Sequence, residues 1–357
     1  MFTEVKGNLH IHTTLSDGTG THAEVAAAAR QAGLAWCIVT DHNAVAFGEQ
    51  GWRDGVLLLV GQELNDPAHP HCNHLLVLGA GVDLAPYAAD TAQALAAARA
   101  AGGLCLIAHP DEHSAAYSGE PEIPWQRWDL ADQVQGLELW NYMSEFKAHL
   151  PNAASALALA LWPKLAMRGP FDETLARWDT LLTQGPCVGV AGSDAHAIEY
   201  RMGPLRRRVF GYEYLFRAVN THALIEGPWP SERTDETAAM LGQRLHDALR
   251  AGRCFVSYDA LRDGTGFRFG LRLASGAELP MGSTVHWPAE GTLYAEAPAG
   301  ARARLELWRD GCLIVSERGP ALTWRVEEAG IYRVVARRWY AGAWRTWLLS
   351  NAIRLVG

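Results

Sequence analysis

The chain has 357 residues, 49% of them hydrophobic, and a formal charge of −8 from 31 basic and 39 acidic side chains. That length accommodates one large domain and a smaller one, and the acidic balance argues against a duplex nucleic-acid binder. A small anionic or ester substrate stays open, because bound cations reverse the local field. Six cysteines, none in a C-x-x-C pair, suit a reducing compartment. The first chemical motif begins at residue 8, which leaves no room for a signal peptide. The most apolar stretch, Ala153 to Trp162, is too short to span a bilayer. A cytoplasmic protein with no membrane partner is expected, and the sequence fixes no oligomeric state.

In chain order, strands are predicted over Val5–His12, Ala35–Thr40, Val56–Leu64, His74–Leu78, Gly103–His109, Gly136–Asn141 and Cys187–Asp194. Thr21-x-x-Glu24 reads as a capping box opening a helix over Ala23–Ala32, which Gly33 stops. Thr91–Ala101 is helical in pattern, and Phe171, Leu175, Trp178, Leu181 and Leu182 share one face of a helix ending near Gly185. Strand and helix in alternation predict a parallel α/β sheet, closed or open. From about residue 265 helical patterning stops, and six of the 14 tryptophans lie between Trp287 and Trp347. Asp310-Gly311 and Ala341-Gly342 each sit between β-rich runs and predict hairpins. The expected division is a domain over 1–262 and a small all-β, sandwich-like domain over 263–357.

The polar residues carry the chemistry. His10 and His12 lie two apart on the predicted strand, so both point to one face. Asp17 follows in a polar turn. His42 ends the second strand, Glu63 the third, His109 another, and Asp194 and His196 the last, while His74 follows a loop. Strand ends of an α/β barrel gather at one rim, so residues distant in sequence meet there. Six histidines and three carboxylates exceed the needs of one ion and suit two or three. Imidazole and carboxylate without thiolate fit Zn, Mn or Fe alike.

Asn8–His12, Ser16–Thr19, Thr40–Asn43, Ala108–Pro110 and Gly192–His196 together resemble the PHP (polymerase and histidinol phosphatase) superfamily over residues 1 to about 200. Asp247–Arg253 and the β-rich tail resemble its bacterial carbaryl-hydrolase-like branch. The resemblance implies a distorted (β/α)7 barrel and a trinuclear site. It places His10, His12, Glu63 and Asp194 on one ion, and Glu63, His74 and His109 on a second with Glu63 bridging. Asp17, His42 and His196 fall on a third. The expected activity is hydrolysis of small phosphomonoesters or phosphodiesters by metal-activated hydroxide. A carbamate, ester or amide hydrolase with the same site is the alternative.

Asp194, Glu63 and His196 are the expected catalytic residues. His113, four residues beyond His109, is a candidate acid or phosphate donor, and Asn141 and Arg201 are candidate substrate contacts. Asp41 alternates away from His42 and reads as a residue that orients a ligand. His69 and His71 read as loop residues, and the tail tryptophans as sandwich core and edge aromatics.

Overall fold

The computed structural model describes every residue except 116–118, 151, 153–158, 160, 203–204, 209 and 289, and gives the backbone alone over 199–202 and 205–208. The architecture is mixed α/β, with many strands and few helices. Most of the stretch Ala153 to Trp162 lies outside the described residues, and no described helix is long and apolar enough to cross a membrane.

The first 200 residues divide between two sheets. Strands β1 (Phe2–Leu9), β2 (Trp36–Val39) and β3 (Val56–Val60) pair in parallel. In the other sheet β4 (Gln62–Leu64), β5 (Leu75–Leu78), β6 (Leu104–Ile107), β7 (Gly136–Asn141) and β8 (Val188–Gly192) are neighbours in that order. The β6–β7 and β7–β8 pairs are parallel, whereas β5 is antiparallel to both its neighbours. The expected parallel order holds within β1–β3 and within β6–β8, whereas β5, which returns from β4 through a loop with no crossover helix, and a short strand Gly51–Arg53, hairpinned to β3, pair antiparallel.

The run Val56–Leu64, expected as one strand, breaks at Gly61, where the chain leaves one sheet for the other. A Cβ at Gly61 would lie 2.7 Å from the Val77 carbonyl oxygen, so the close approach needs glycine. Parallel bridges Ile11–Ala195 and His42–Glu63 join the sheets where the chain leaves their strands. Leu9, Ile38, Leu59, Leu76, Leu106 and Val190 meet in one buried core, closed by Leu241, Leu245 and Leu249 of a helix over Asp235–Arg250.

Helix α1 (His22–Gln31) begins as its sequence directs, with the Thr21 and Glu24 capping box formed in both directions. Helices α2 (Thr91–Ala100), α3 (Tyr142–Ala148) and α4 (Asp172–Gln184) follow. Strand Val219–Glu226 pairs antiparallel with β1 and with Cys254–Tyr258, which pairs in turn with Ala343–Ser350. The first sheet thus runs on into the C-terminal strands. There Phe269, Leu271, Leu293, Leu305, Val334 and Trp347, from two sheets, share a further core. Both expected hairpins form, with positive φ at Asp310 (50°), Gly311 (76°), Ala341 (49°) and Gly342 (84°). All six cysteines are free thiols.

Candidate metal centre

Strand β1 stops at Leu9, short of the expected His12. His10 has φ 62°, a left-handed conformation that ends the alternation. The two imidazoles converge through this kink and the Ile11–Ala195 bridge, with ring centroids 5.3 Å apart. His109 (φ 25°) and Asp194 (φ 52°) also hold positive φ. Such backbone is costly in non-glycine residues and persists where surrounding structure enforces it, often at functional sites. Gly192 gives the room: a Cβ there would lie 2.0 Å from Glu138 Oε1 and 2.7 Å from His10 Cβ.

All nine expected ligands gather in one place, and Glu63 is their hub. Its Oε2 lies 3.1 Å from His10 Nε2, 3.1 Å from His12 Nε2 and 3.3 Å from His42 Nδ1. Its Oε1 lies 2.8 Å from His74 Nδ1 and 3.4 Å from His109 Nε2. Asp194 Oδ1 faces His10 Nε2 (3.4 Å), His12 Nε2 (3.3 Å) and His196 Nδ1 (3.4 Å). Asp17 Oδ1 lies 3.2 Å from His196 Nε2 and 3.5 Å from His12 Nδ1, and its Oδ2 lies 3.8 Å from His42 Nε2. Donor atoms fall into overlapping groups close enough to share an ion. These are His12–Asp17–His42–His196, His10–His12–Glu63, His10–His109–Asp194 and His42–Glu63–His74.

By themselves, the buried carboxylates and imidazoles of the cluster shift one another strongly. Burial raises the carboxyls of Glu63 and Asp194, and the facing imidazoles more than reverse this, holding both well below the usual range. Burial likewise lowers His12 and His109, and the carboxylates overcome it and lift each to about 9. His42 goes the other way, pulled down to about 4 by burial, with the neighbouring His12 acting in the same direction. Both ring nitrogens of His12, Nδ1 of His42 and Nδ1 of His109 are buried without a hydrogen-bond partner. Buried polar atoms are rarely left so, and an ion accepting the one lone pair of a neutral imidazole would satisfy one nitrogen of each ring. The residues present therefore fit a group of divalent metals.

The surrounding shell holds the donors in place. Glu138, inside β7 and missed by the sequence reading, accepts from His10 Nδ1 (2.9 Å), from the His109 amide (2.9 Å) and from Asn141 Nδ2 (3.0 Å). A lone carboxylate within the apolar run Gly136–Asn141 was the available signal. His74 Nε2 lies 2.9 Å from the Pro70 carbonyl of the loop that carries His69 and His71. Among the described residues, Asp41 makes no hydrogen bond to a ligand imidazole. It accepts from the Thr13 amide (2.7 Å), Thr13 Oγ1 (2.8 Å) and Ser16 Oγ (2.6 Å), fixing the turn that leads to Asp17.

The three expected substrate contacts fare differently. Asn141 engages both ends of its amide. Nδ2 reaches Glu138 and Asp194 Oδ2 (3.3 Å), and Oδ1 caps α3 at the Ser144 amide (2.9 Å). His113 is not brought to the cluster; it is half-exposed, with Nε2 2.8 Å from Glu173 Oε1 and its ring edge-on to Phe171. The Arg201 side chain lies outside the described residues.

The fold and site define a mixed α/β protein with a buried, multi-carboxylate, multi-histidine centre. No protein-family model and no curated protein sequence matches the chain. Among solved structures it is similar to a two-domain protein of Bacteroides vulgatus containing a predicted PHP-like metal-dependent phosphoesterase. The identity is 14%, the TM-score 0.45, and the match covers 98% of this chain and 95% of that one. It is also similar to a candidate metal-dependent phosphoesterase of Bifidobacterium adolescentis, at 16% identity and TM-score 0.34, over 53% of this chain and 87% of that one.

Proposed function

We propose that the chain is a metal-dependent hydrolase of small phosphomonoesters or phosphodiesters, working at a cluster of two or three divalent ions. The observation that carries this reading is Glu63, buried with five imidazoles within 3.4 Å of its two oxygens. A carboxylate can bridge two ions through separate oxygens, and no single-ion site needs that many donors around it. The expected division is His10, His12, Glu63 and Asp194 on one ion, Glu63, His74 and His109 on the next, and Asp17, His42 and His196 on the third. Zn, Mn or Fe bound there would polarise a phosphoryl oxygen, lower the pKa of water and clamp an in-line displacement. The protein's own part is to hold imidazole tautomers through Glu138 and Pro70, and to keep Glu63 and Asp194 ionised. We read the strands over 1–262 as a distorted (β/α)7 barrel, 263–357 as a sandwich-like domain, and the protein as cytoplasmic.

A carbon ester, carbamate or amide hydrolase is the second reading. It is favoured by Lys147, whose ammonium beside the site is bonded to Glu112 at 2.5 Å and so offers less to a phosphate. The test is turnover after reconstitution with Mn, Zn or Fe, on an aryl phosphomonoester, a phosphodiester, an aryl ester and an aryl carbamate. Asp194→Ala should lose all turnover while keeping its circular dichroism. Turnover confined to the carbon esters moves the protein to the second reading, and full activity in Asp194→Ala sinks both.

A further inference from the structure

A cleft of about 180 Å³ opens directly beside the cluster, with Asp194 and His196 on its wall. Its other walls are largely apolar: Ile123, Met143 of α3, Ile198, Phe210 and Leu215. Phe210 is held rigidly, stacked on Tyr214 with centroids 4.9 Å apart and edge-on to Phe146 at 4.6 Å. Among the described residues lining the cleft, beyond the centre itself, the charged groups are Glu112, Glu120 and Lys147. Lys147 Nζ donates to Glu112 Oε1 at 2.5 Å and to the Pro121 carbonyl at 2.7 Å, and Ser144 Oγ donates to the other Glu112 oxygen. The ammonium is therefore neutralised, and Glu120 leaves the described residues of the cleft, beyond the centre, with an acidic excess.

We infer that this cleft receives the organic group of the substrate, and that the group is uncharged and apolar, of the size of one ring or a short alkyl chain. The inference rests on the hydrolase reading above and names its substrate class. Three observations carry it. The cleft is continuous with the metal centre, so a group esterified to the reacting atom enters it without leaving the site. Its volume is close to that of the cavities of about 150 Å³ with Leu, Ile and Phe walls that accept benzene, and it is too small for a nucleoside. Its charge disfavours a second anionic group, since among the described residues a carboxylate or further phosphate there would face Glu112 and Glu120, with Lys147 already engaged by Glu112.

The test uses the full chain loaded with Mn and a series of n-alkylphosphonates, methyl through hexyl, measured by calorimetry so that turnover is not needed. Each methylene buried should tighten binding about three- to fourfold, with a plateau once the cleft is filled. Met143→Asn and Ile198→Asn should each flatten that slope, measured relative to the variant's own methylphosphonate affinity at full metal content. The anionic analogue 3-phosphonopropanoate should bind no better than methylphosphonate. A flat slope in the wild type, equal slopes in wild type and both variants, or preference for the carboxylated analogue overturns the cleft assignment and leaves the hydrolase reading standing. No phosphonate binding by the fully metallated protein overturns both.

Discussion

Glu138 accepts a hydrogen bond from Nδ1 of His10 at 2.9 Å, and the opposite ring nitrogen of that histidine faces Glu63 at 3.1 Å. A carboxylate behind a ligand imidazole fixes the tautomer and makes the exposed nitrogen a better donor to metal. All the hydrogen-bond partners of Glu138 named above are donors: a ring N–H, the His109 amide and the Asn141 amide. A glutamine there must turn its own NH2 against one of them. Glu138→Gln is expected to weaken metal affinity about 10- to 100-fold without loss of fold. Competition against a fluorescent chelator measures it; an unchanged affinity would show that Glu138 serves packing alone.

Removal of the metals should cost stability as well as activity. The rings of His12 and His196 stack at 4.1 Å and those of His12 and His42 lie 4.5 Å apart, with buried ring nitrogens left without a hydrogen-bond partner. A ligand that binds only the native state stabilises it by about 4 kcal/mol at a thousandfold excess over its Kd. For a chain of this length that is about 5 °C in melting temperature. Scanning calorimetry with and without a strong chelator reads the shift, and coincident melts would mean that the cluster does not hold metal under those conditions.

The parts of this protein legible in its sequence are those with local causes. Thr21 and Glu24 cap α1 through contacts three residues apart, and Asp310-Gly311 and Ala341-Gly342 turn because those positions adopt positive φ. Most of the nine clustered side chains were legible for a different reason, since they end or follow apolar runs, whereas Asp17 lies in a polar turn and His74 after a loop. What stayed hidden depends on distant partners. Glu138 meets His10 across 128 positions, and nothing near either residue announces the other. The break at Gly61 is set by the Val77 carbonyl of a neighbouring strand, and pairing of Cys254–Tyr258 with Ala343–Ser350 by cores on either side. His113 has helical spacing from His109, but the chain after His109 is not helical, so the ring swings to Glu173 instead.

Helix α4 is tied to the C-terminal strands by one ion pair with two bonds. Arg333 Nε and Nη2 donate to the two oxygens of Asp179 at 2.7 Å each, with the guanidinium 4.9 Å from the centroid of Trp308. The arginine side chain is 3% exposed, so removing its partner strands a buried charge. Asp179→Ala is expected to cost about 3–5 kcal/mol, while Asp179→Ala combined with Arg333→Met should recover much of that loss. Urea unfolding of the single and double variants checks the ordering. A single variant as stable as the wild type would mean that water reaches Arg333 as readily as Asp179 does.

A second buried charge sets how stability varies with pH. His222 is fully buried, with Nδ1 2.9 Å from Glu4 Oε1 and Nε2 3.3 Å from Asp259 Oδ2. Lys6, Asp263 and Arg268 complete the surrounding charges, through Lys6–Asp259, Lys6–Asp263 and Arg268–Glu4. Burial lowers this imidazole from its ordinary 6.5, and Asp259 and Glu4 outweigh burial and lift it to about 9. A raised pKa stabilises the fold fully below 6.5, and the contribution disappears as pH climbs through about 9. Asp259 behaves in the opposite sense: burial raises it, His222 and Lys6 draw it down to about 2, and its contribution is lost as pH falls from 3.8 toward that value. Stability from this pair should therefore be level between about 4 and 6.5 and decline on either side. His222→Gln should be less stable than wild type by roughly 2 kcal/mol at pH 6, with the gap closing above pH ~9. Urea midpoints of both proteins in the metal-loaded form across this range decide it. A gap that stays constant with pH would mean that His222 is neutral in the folded protein.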